Sequence, residues 1–244
     1  MRAAPAACYG KLPARADFVT RRLPRATIEI WDRWLQACLG HSQQTLGAAW
    51  QDCYMLAPPW RVALPAGACG QAALIGALVP SVDAVGRCFP LLIAQELAGA
   101  VNPAGLAIAG GPWFEAAEAL ALRALDDGFD LAALESALPA LAAPSPAMHR
   151  SWPSGGAIGR WAELATPAAF STGAGGAVPS ASPPALWWTM GGVGFSPALA
   201  VTAGLISPRG FAALLDGDAP RHGWDLWATD DAGTEEDLAW DRDE

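Results

Sequence analysis

The run Ala72-Ala73-Leu74-Ile75-Gly76-Ala77-Leu78-Val79 has no charge and no alternation of polar with apolar residues. A run of this kind reads as a strand buried on both faces of a sheet. Pro80-Ser81-Val82-Asp83-Ala84-Val85-Gly86-Arg87 follows, and then a second apolar run from Phe89 to Leu97. Pro80 cannot donate to a sheet ladder, so it ends the first strand. Gly86 permits a tight turn with positive φ. Asp83 and Arg87 are then held at a hairpin-like corner between two interior strands. A carboxylate and a guanidinium so close to a core are expected to pair. The simplest role of that pair is to fix the loop.

Upstream, Asp52 to Ala57 and Trp60 to Leu64 read as short strands broken by Pro58-Pro59. With the strand over Cys69 to Val79 and the one over Phe89 to Leu97 they make an antiparallel meander. Cys8 to Val19 reads as a short strand, a turn and a second extended piece. Leu23-Pro24 opens a helix, in which Ile28, Trp31, Trp34 or Leu35, and Cys38 or Leu39 recur at helical spacing. Gly40 is read as its stop, and Ser42 as the cap of a short helix reaching Trp50.

Downstream, Gly111-Pro112 starts a helix with Trp113, Ala117, Leu120, Ala121 and Ala124 on one side. Asp130 caps another, with Leu131, Leu134, Leu138 and Leu141 facing inward and Pro139 disturbing its last turns. Pro144 to Ser154 is read as a loop, Ala157 to Trp161 as a strand, and the Gly/Ala/Ser/Pro-rich stretch 165–184 as a long internal loop. Leu186 to Met190 is a strand, followed by a turn at Gly191–Gly194. Ser207 caps a last helix with Pro208 in its first turn, and Gly217 ends it. The pattern predicts an α/β domain over 1–218, with a mixed, partly antiparallel sheet flanked by helices on both sides. Residues 219–244 are read as an acidic, loosely structured tail.

Composition narrows the function. The 244 residues are 52% hydrophobic, enough for a sizeable core, and include twelve tryptophans. No apolar run is long enough to span a bilayer, and the first residues lack the apolar segment of a secretory signal. Five dispersed cysteines with no CxxC fit reduced thiols in a cytosolic chain. The net charge of −9, with no basic aromatic stripe, argues against nucleic acid. Charge is polarised. Basic residues crowd the start, where Lys11 is the only lysine, and acidic residues crowd the end. The basic start is suited to facing the acidic end or an acidic partner.

No active site is legible. His41, His149 and His222 stand in no catalytic frame. Gly194-Phe195-Ser196-Pro197-Ala198 lacks the closing glycine of a nucleophile elbow, and Pro197 removes the N–H an oxyanion hole would need. The glycines at 173–176 and 191–194 match neither phosphate-loop nor dinucleotide spacing. No metal-ligand spacing occurs. The pattern favours a binding or regulatory protein without a cofactor. The alternative is a small-ligand binder or enzyme with a polar pocket around Asp17, Asp83 and Arg87.

Several motifs in order resemble one family. They are Gly10-Lys11-Leu12-Pro13 with Asp17-Phe18-Val19, Trp31-Asp32-Arg33-Trp34-Leu35, and Ala57-Pro58-Pro59-Trp60-Arg61. They continue with Pro80-Ser81-Val82-Asp83, Gly86-Arg87 and Phe89-Pro90-Leu91, then Leu186-Trp187-Trp188 and Phe211-Ala212-Ala213-Leu214-Leu215-Asp216-Gly217. Over roughly residues 8 to 218 the chain resembles the TagF (ImpM) family of type VI secretion accessory proteins. The resemblance implies a three-layer α/β/α sandwich, a cytoplasmic location and no established catalysis. It implies a post-translational repressor whose partner is the forkhead-associated (Fha-type) scaffold protein, and it leaves a homo-oligomer open. Lys11, Arg15, Asp17, Ser81, Asp83, Gly86 and Arg87 are the candidate interaction residues. Thr234, followed by Glu235-Glu236-Asp237, is a candidate phosphosite, because an acid three residues after a phosphothreonine suits some forkhead-associated domains.

Overall fold

The computed structural model describes residues 4–98, 103–144, 160–163 and 183–226. Its centre is a nine-stranded mixed sheet. In chain order the strands are β1 (Ala7–Gly10), β2 (Val19–Arg21), β3 (Trp60–Leu64), β4 (Ala73–Val79), β5 (Leu91–Leu97), β6 (Arg160–Glu163), β7 (Ala185–Thr189), β8 (Ala198–Thr202) and β9 (Asp225–Leu226). The spatial order is β2-β1-β5-β4-β3-β7-β8-β6-β9. Every neighbouring pair is antiparallel except β6 with β9. The helices are α1 (Arg25–Leu46), α2 (Trp50–Leu56), α3 (Pro103–Ala109), α4 (Gly111–Arg123), α5 (Leu131–Ala137), α6 (Pro208–Phe211) and α7 (Ala213–Asp216). The class is α/β.

The apolar run that opened the reading is β4, and all its residues are buried. It sits between β3 and β5, so both its edges are paired. Its side chains divide by pleat. Ile75 and Ala77 join one apolar cluster with Ile93, Trp188 and the α4 residues Trp113, Phe114 and Leu120. Leu74 and Leu78 join another with Leu92, Trp187 and the α1 residues Trp31 and Leu35. Successive strand residues point to opposite faces, so a strand whose two faces both enter apolar clusters has no polar position to spare. Trp187 lies against Trp31 and Trp34, with ring centroids 6.2 and 5.4 Å away. Trp188, the next residue, meets Phe114 at 4.6 Å on the other side.

Several expectations need correction. Asp52 to Ala57 is helix α2, not a strand. Its Tyr54 is buried and exchanges hydrogen bonds with the Ser81 backbone, an inward contact that a helix of this length supplies as well as a strand would. The meander therefore has three strands, β3-β4-β5. Gly40 does not stop α1, and Ser42 caps nothing. The helix runs on to Leu46, and the buried Ser42 hydroxyl accepts from the Trp50 indole. Helix α3 and strand β8 were not anticipated. Both are small-residue segments in which alanine blurs the period.

The caps at Asp130 and Ser207 form as expected, through Ala133 N and Gly210 N. Ordered structure also continues past Asp218. Ala219, His222 and Trp224 are buried, His222 Nε2 lies 2.7 Å from Asp216 Oδ2, and Trp224 donates to the Gly210 carbonyl. The loops over 144–154 and 165–184 fall almost wholly outside the described residues, as does the acidic segment from 227. No helix among the described residues is long and apolar enough to cross a membrane.

Candidate functional site

The corner between β4 and β5 is a tight reversal. Asp83 N donates to Arg87 O at 3.1 Å and Gly86 N to Asp83 O at 2.9 Å. Gly86 takes φ +81°, the left-handed region its lack of Cβ permits. The Asp83 side chain is fully buried and every lone-pair direction is used. Oδ1 accepts from Val85 N at 3.1 Å and Arg87 N at 2.9 Å. Oδ2 accepts from Arg87 Nε at 2.7 Å and faces Lys11 Nζ at 2.9 Å. Burial alone would raise the Asp83 pKa. The bonds from Lys11, the Arg87 backbone and side chain, and Val85 more than offset it and hold the carboxyl well below its ordinary range.

The corner is also sewn to the loop after β1. Ser81 Oγ donates to Lys11 O at 2.8 Å, Ala84 N to Arg15 O at 2.9 Å, and Arg87 Nη2 to Ala16 O at 2.7 Å. Lys11 Nζ lies 5.3 Å from the Phe18 ring centre, and Phe18 packs edge-on to Phe89 at 4.7 Å. Lys11 and Arg87, 76 positions apart, thus close onto one carboxylate. Lys11, Ser81, Asp83, Gly86 and Arg87 are brought together. Arg15 joins through its backbone carbonyl, with its side chain outside. Asp17 does not reach the ion cluster. It is exposed and lines an open cleft of about 520 Å3 with Arg15, Phe18, Val19, Arg21 and Leu131. Thr234 lies outside the described residues.

Two pairings are not visible in the sequence motifs. Lys11 shares Asp83 with Arg87, and Tyr54 brackets Ser81 from α2. That Lys11 is the chain's single lysine was the available signal, whereas nothing local marks Tyr54. The cluster can fix a loop and present its rim. A carboxylate held by four donors in its ionised form is poorly suited to take a proton from a substrate. Among the described residues no group of three His, Cys, Asp or Glu could hold a metal ion.

Residues 7–141 match the family model of the TagF N-terminal domain, described as type VI secretion system-associated. The crystal structure of PA0076 from Pseudomonas aeruginosa PAO1 superposes with a TM-score of 0.71 at 34% identity, covering 87% of this chain and 94% of that one. No curated protein matches. The matched span holds the corner, the loop it is sewn to and all five strands on that side of the sheet, and on these grounds the chain belongs to the TagF family of type VI secretion system-associated proteins.

Proposed function

We propose that this chain is a non-enzymatic accessory regulator of type VI secretion that acts in the cytoplasm. It represses assembly after translation by binding an Fha-type, forkhead-associated scaffold protein. The observation that carries the reading is the family match over 7–141. The engaged state of Asp83 adds support, because the alternative pocket around Asp17, Asp83 and Arg87 needs that carboxylate free. The same reading takes the fold as a three-layer α/β/α sandwich, supported by alternate strand residues entering separate apolar clusters. Co-purification with the cognate scaffold is expected, together with reduced secretion on overexpression. Absence of both would refute the repressor role.

A further inference from the structure

Four of the sequence motifs meet at one end of the sheet and leave an apolar face there. Ala57-Pro58-Pro59-Trp60 links α2 to β3, Pro80 follows β4, and Pro90 precedes β5. Phe211 and Leu214 come from α6 and α7. With Tyr54, Pro58 and Trp60 they line a notch of about 20 Å3, room for the end of one side chain. Its polar atoms are spent inward, Tyr54 OH on the Ser81 backbone and Trp60 Nε1 on the Leu214 carbonyl, so only apolar surface faces out. Two exposed apolar side chains stand beside it. Leu56 at the end of α2 is 70% exposed, and Val193 in the β7–β8 turn is 96% exposed. The turn packs onto the notch. A Cβ on Gly192 would lie 3.4 Å from Pro58 Cβ, and Phe195 meets Trp60 edge-on at 6.0 Å.

Charge near this face has two sources. Among the described residues, α2 and the elements from β6 to β9 carry Asp52, Glu163, Asp216, Asp218 and Asp225 against Arg160, Arg209, Arg221 and His222. The corner adds Lys11, Arg15 and Arg87 against Asp17 and Asp83, so these groups nearly balance. The second source is the stretch 227–244, whose eight acids and one arginine make up most of the chain's net charge of −9. Strand β6 is antiparallel to β8 and β9 is parallel to β6, so the chain leaves Leu226 toward the end that carries Val193. Two strand spacings separate β9 from β8, about 10 Å and about one Debye length at 0.1 M salt. The face is apolar, and a strongly acidic stretch departs from its flank.

We propose that the face around Leu56, the Pro58 notch and Val193 receives a basic segment of a partner protein. One aliphatic side chain of that segment enters the notch, and its cations meet the acidic stretch that departs beside it. The notch is built from strand ends and helices already packed together, so little ordering is required of this side. The inference deepens the scaffold-binding reading and takes only the identity of the partner from it.

The test uses the full chain and the peptide Lys-Lys-Ala-Leu-Ala-Lys-Lys, with Ser in place of Leu as one control and Glu in place of every Lys as the other. The Leu peptide is expected to bind about tenfold more tightly than the Ser peptide, and the Glu peptide not at all. Its affinity should fall as salt rises from about 50 to about 200 mM. Leu56→Ser and Val193→Ser are each expected to weaken it several-fold, while Glu115→Arg on α4 has little effect. Amide exchange should slow at Leu56 and Val193 on binding. Changing the eight acids of 227–244 to amides should weaken binding about tenfold and keep the preference for Leu.

No binding, equal binding of the Leu and Ser peptides, equal binding by wild type and both Ser variants, or protection confined to other elements would overturn the proposal. Unchanged binding by the amide variant would overturn the choice of a basic partner. Stronger binding by that variant would assign the face to the chain's own acidic stretch, and self-association abolished by Val193→Ser would assign it to a second copy. Either result overturns the proposal. The scaffold is measured in parallel. If it ignores the wild type while the peptide behaves as expected, the proposed function falls and the face stands. If it binds wild type and both Ser variants alike, the face falls and the function stands.

Discussion

Asp83 is buried with two cations on one oxygen and two backbone N–H groups on the other. Its folded carboxyl is held below its unfolded value, so its contribution to stability is complete above about pH 4 and is lost as acid protonates the folded form. Urea unfolding followed from pH 6 down to pH 2 should therefore show a decline that is shallower in Asp83→Asn. The Asn variant should lie above Asp83→Ala in Tm, because it keeps an acceptor for Val85 N and Arg87 N. Identical pH profiles for wild type and Asp83→Asn would mean the carboxylate carries no such linkage. The cysteines make a second residue-scale case. Burial pushes the Cys8 thiol up to about 11 and Cys69 to about 12, and raises Cys38 further. Cys53 and Cys88 are raised as well but are only partly buried. No thiol is activated, so alkylation of the native protein at pH 8 should be slow and should reach Cys53 and Cys88 before the other three. Mass mapping of labelled peptides decides it. Early modification of Cys38 would contradict the packing of α1.

At the scale of elements, two glycines of the family motifs carry different demands. Gly10 ends β1 at φ +142°, and a Cβ there would lie 2.2 Å from the Pro90 carbonyl oxygen and 2.8 Å from Leu91 Cα. Backbone on both sides leaves nothing to yield, so Gly10→Ala must part β1 from β5. A loss of several kcal/mol is expected. Gly86 is left-handed but open, and Gly86→Ala should cost only about 1 kcal/mol of backbone strain. Chemical denaturation of the pair checks the order, and equal losses would count against the close approach of β1 to β5. The strands and caps were legible where composition is sharp. The unbroken β4 run, the Asp130 and Ser207 caps and the Pro80 stop all stand where the residues put them. Asp52 to Ala57 was misread because Cys, Tyr, Met and Leu alternate poorly and suit either period. Alanine-rich β8 was missed because alanine fills alternate positions and only Val201 and Thr202, at its end, are β-branched. At the corner, the Asp83–Arg87 pair was visible as neighbours in sequence. Its third member was not, because Lys11 arrives from the far end of β1.

At the scale of the whole molecule, the sheet divides cleanly by sequence. Strands β2, β1, β5, β4 and β3 come from residues 7–97, and β7, β8, β6 and β9 from 160–226. The two sets meet along one seam, where Arg61, Val62 and Ala63 pair with Trp188, Trp187 and Leu186. No sequence rule announces such a junction, since nothing local links Trp60–Leu64 to Ala185–Thr189. A fragment ending at residue 144 would expose β3 along its length and leave Trp31 and Trp34 without Trp187. It is expected to aggregate or self-associate by light scattering, and co-expression of residues 145–244 should restore a soluble complex. A well-behaved monomeric fragment would show the seam to be dispensable. The seam also has a history at every synthesis. At bacterial translation speeds the β3 flank waits on the order of 10 s for its neighbour to emerge from the ribosome. During that interval the nascent chain presents an unshielded ribbon of peptide groups, open to any other chain that reaches it first.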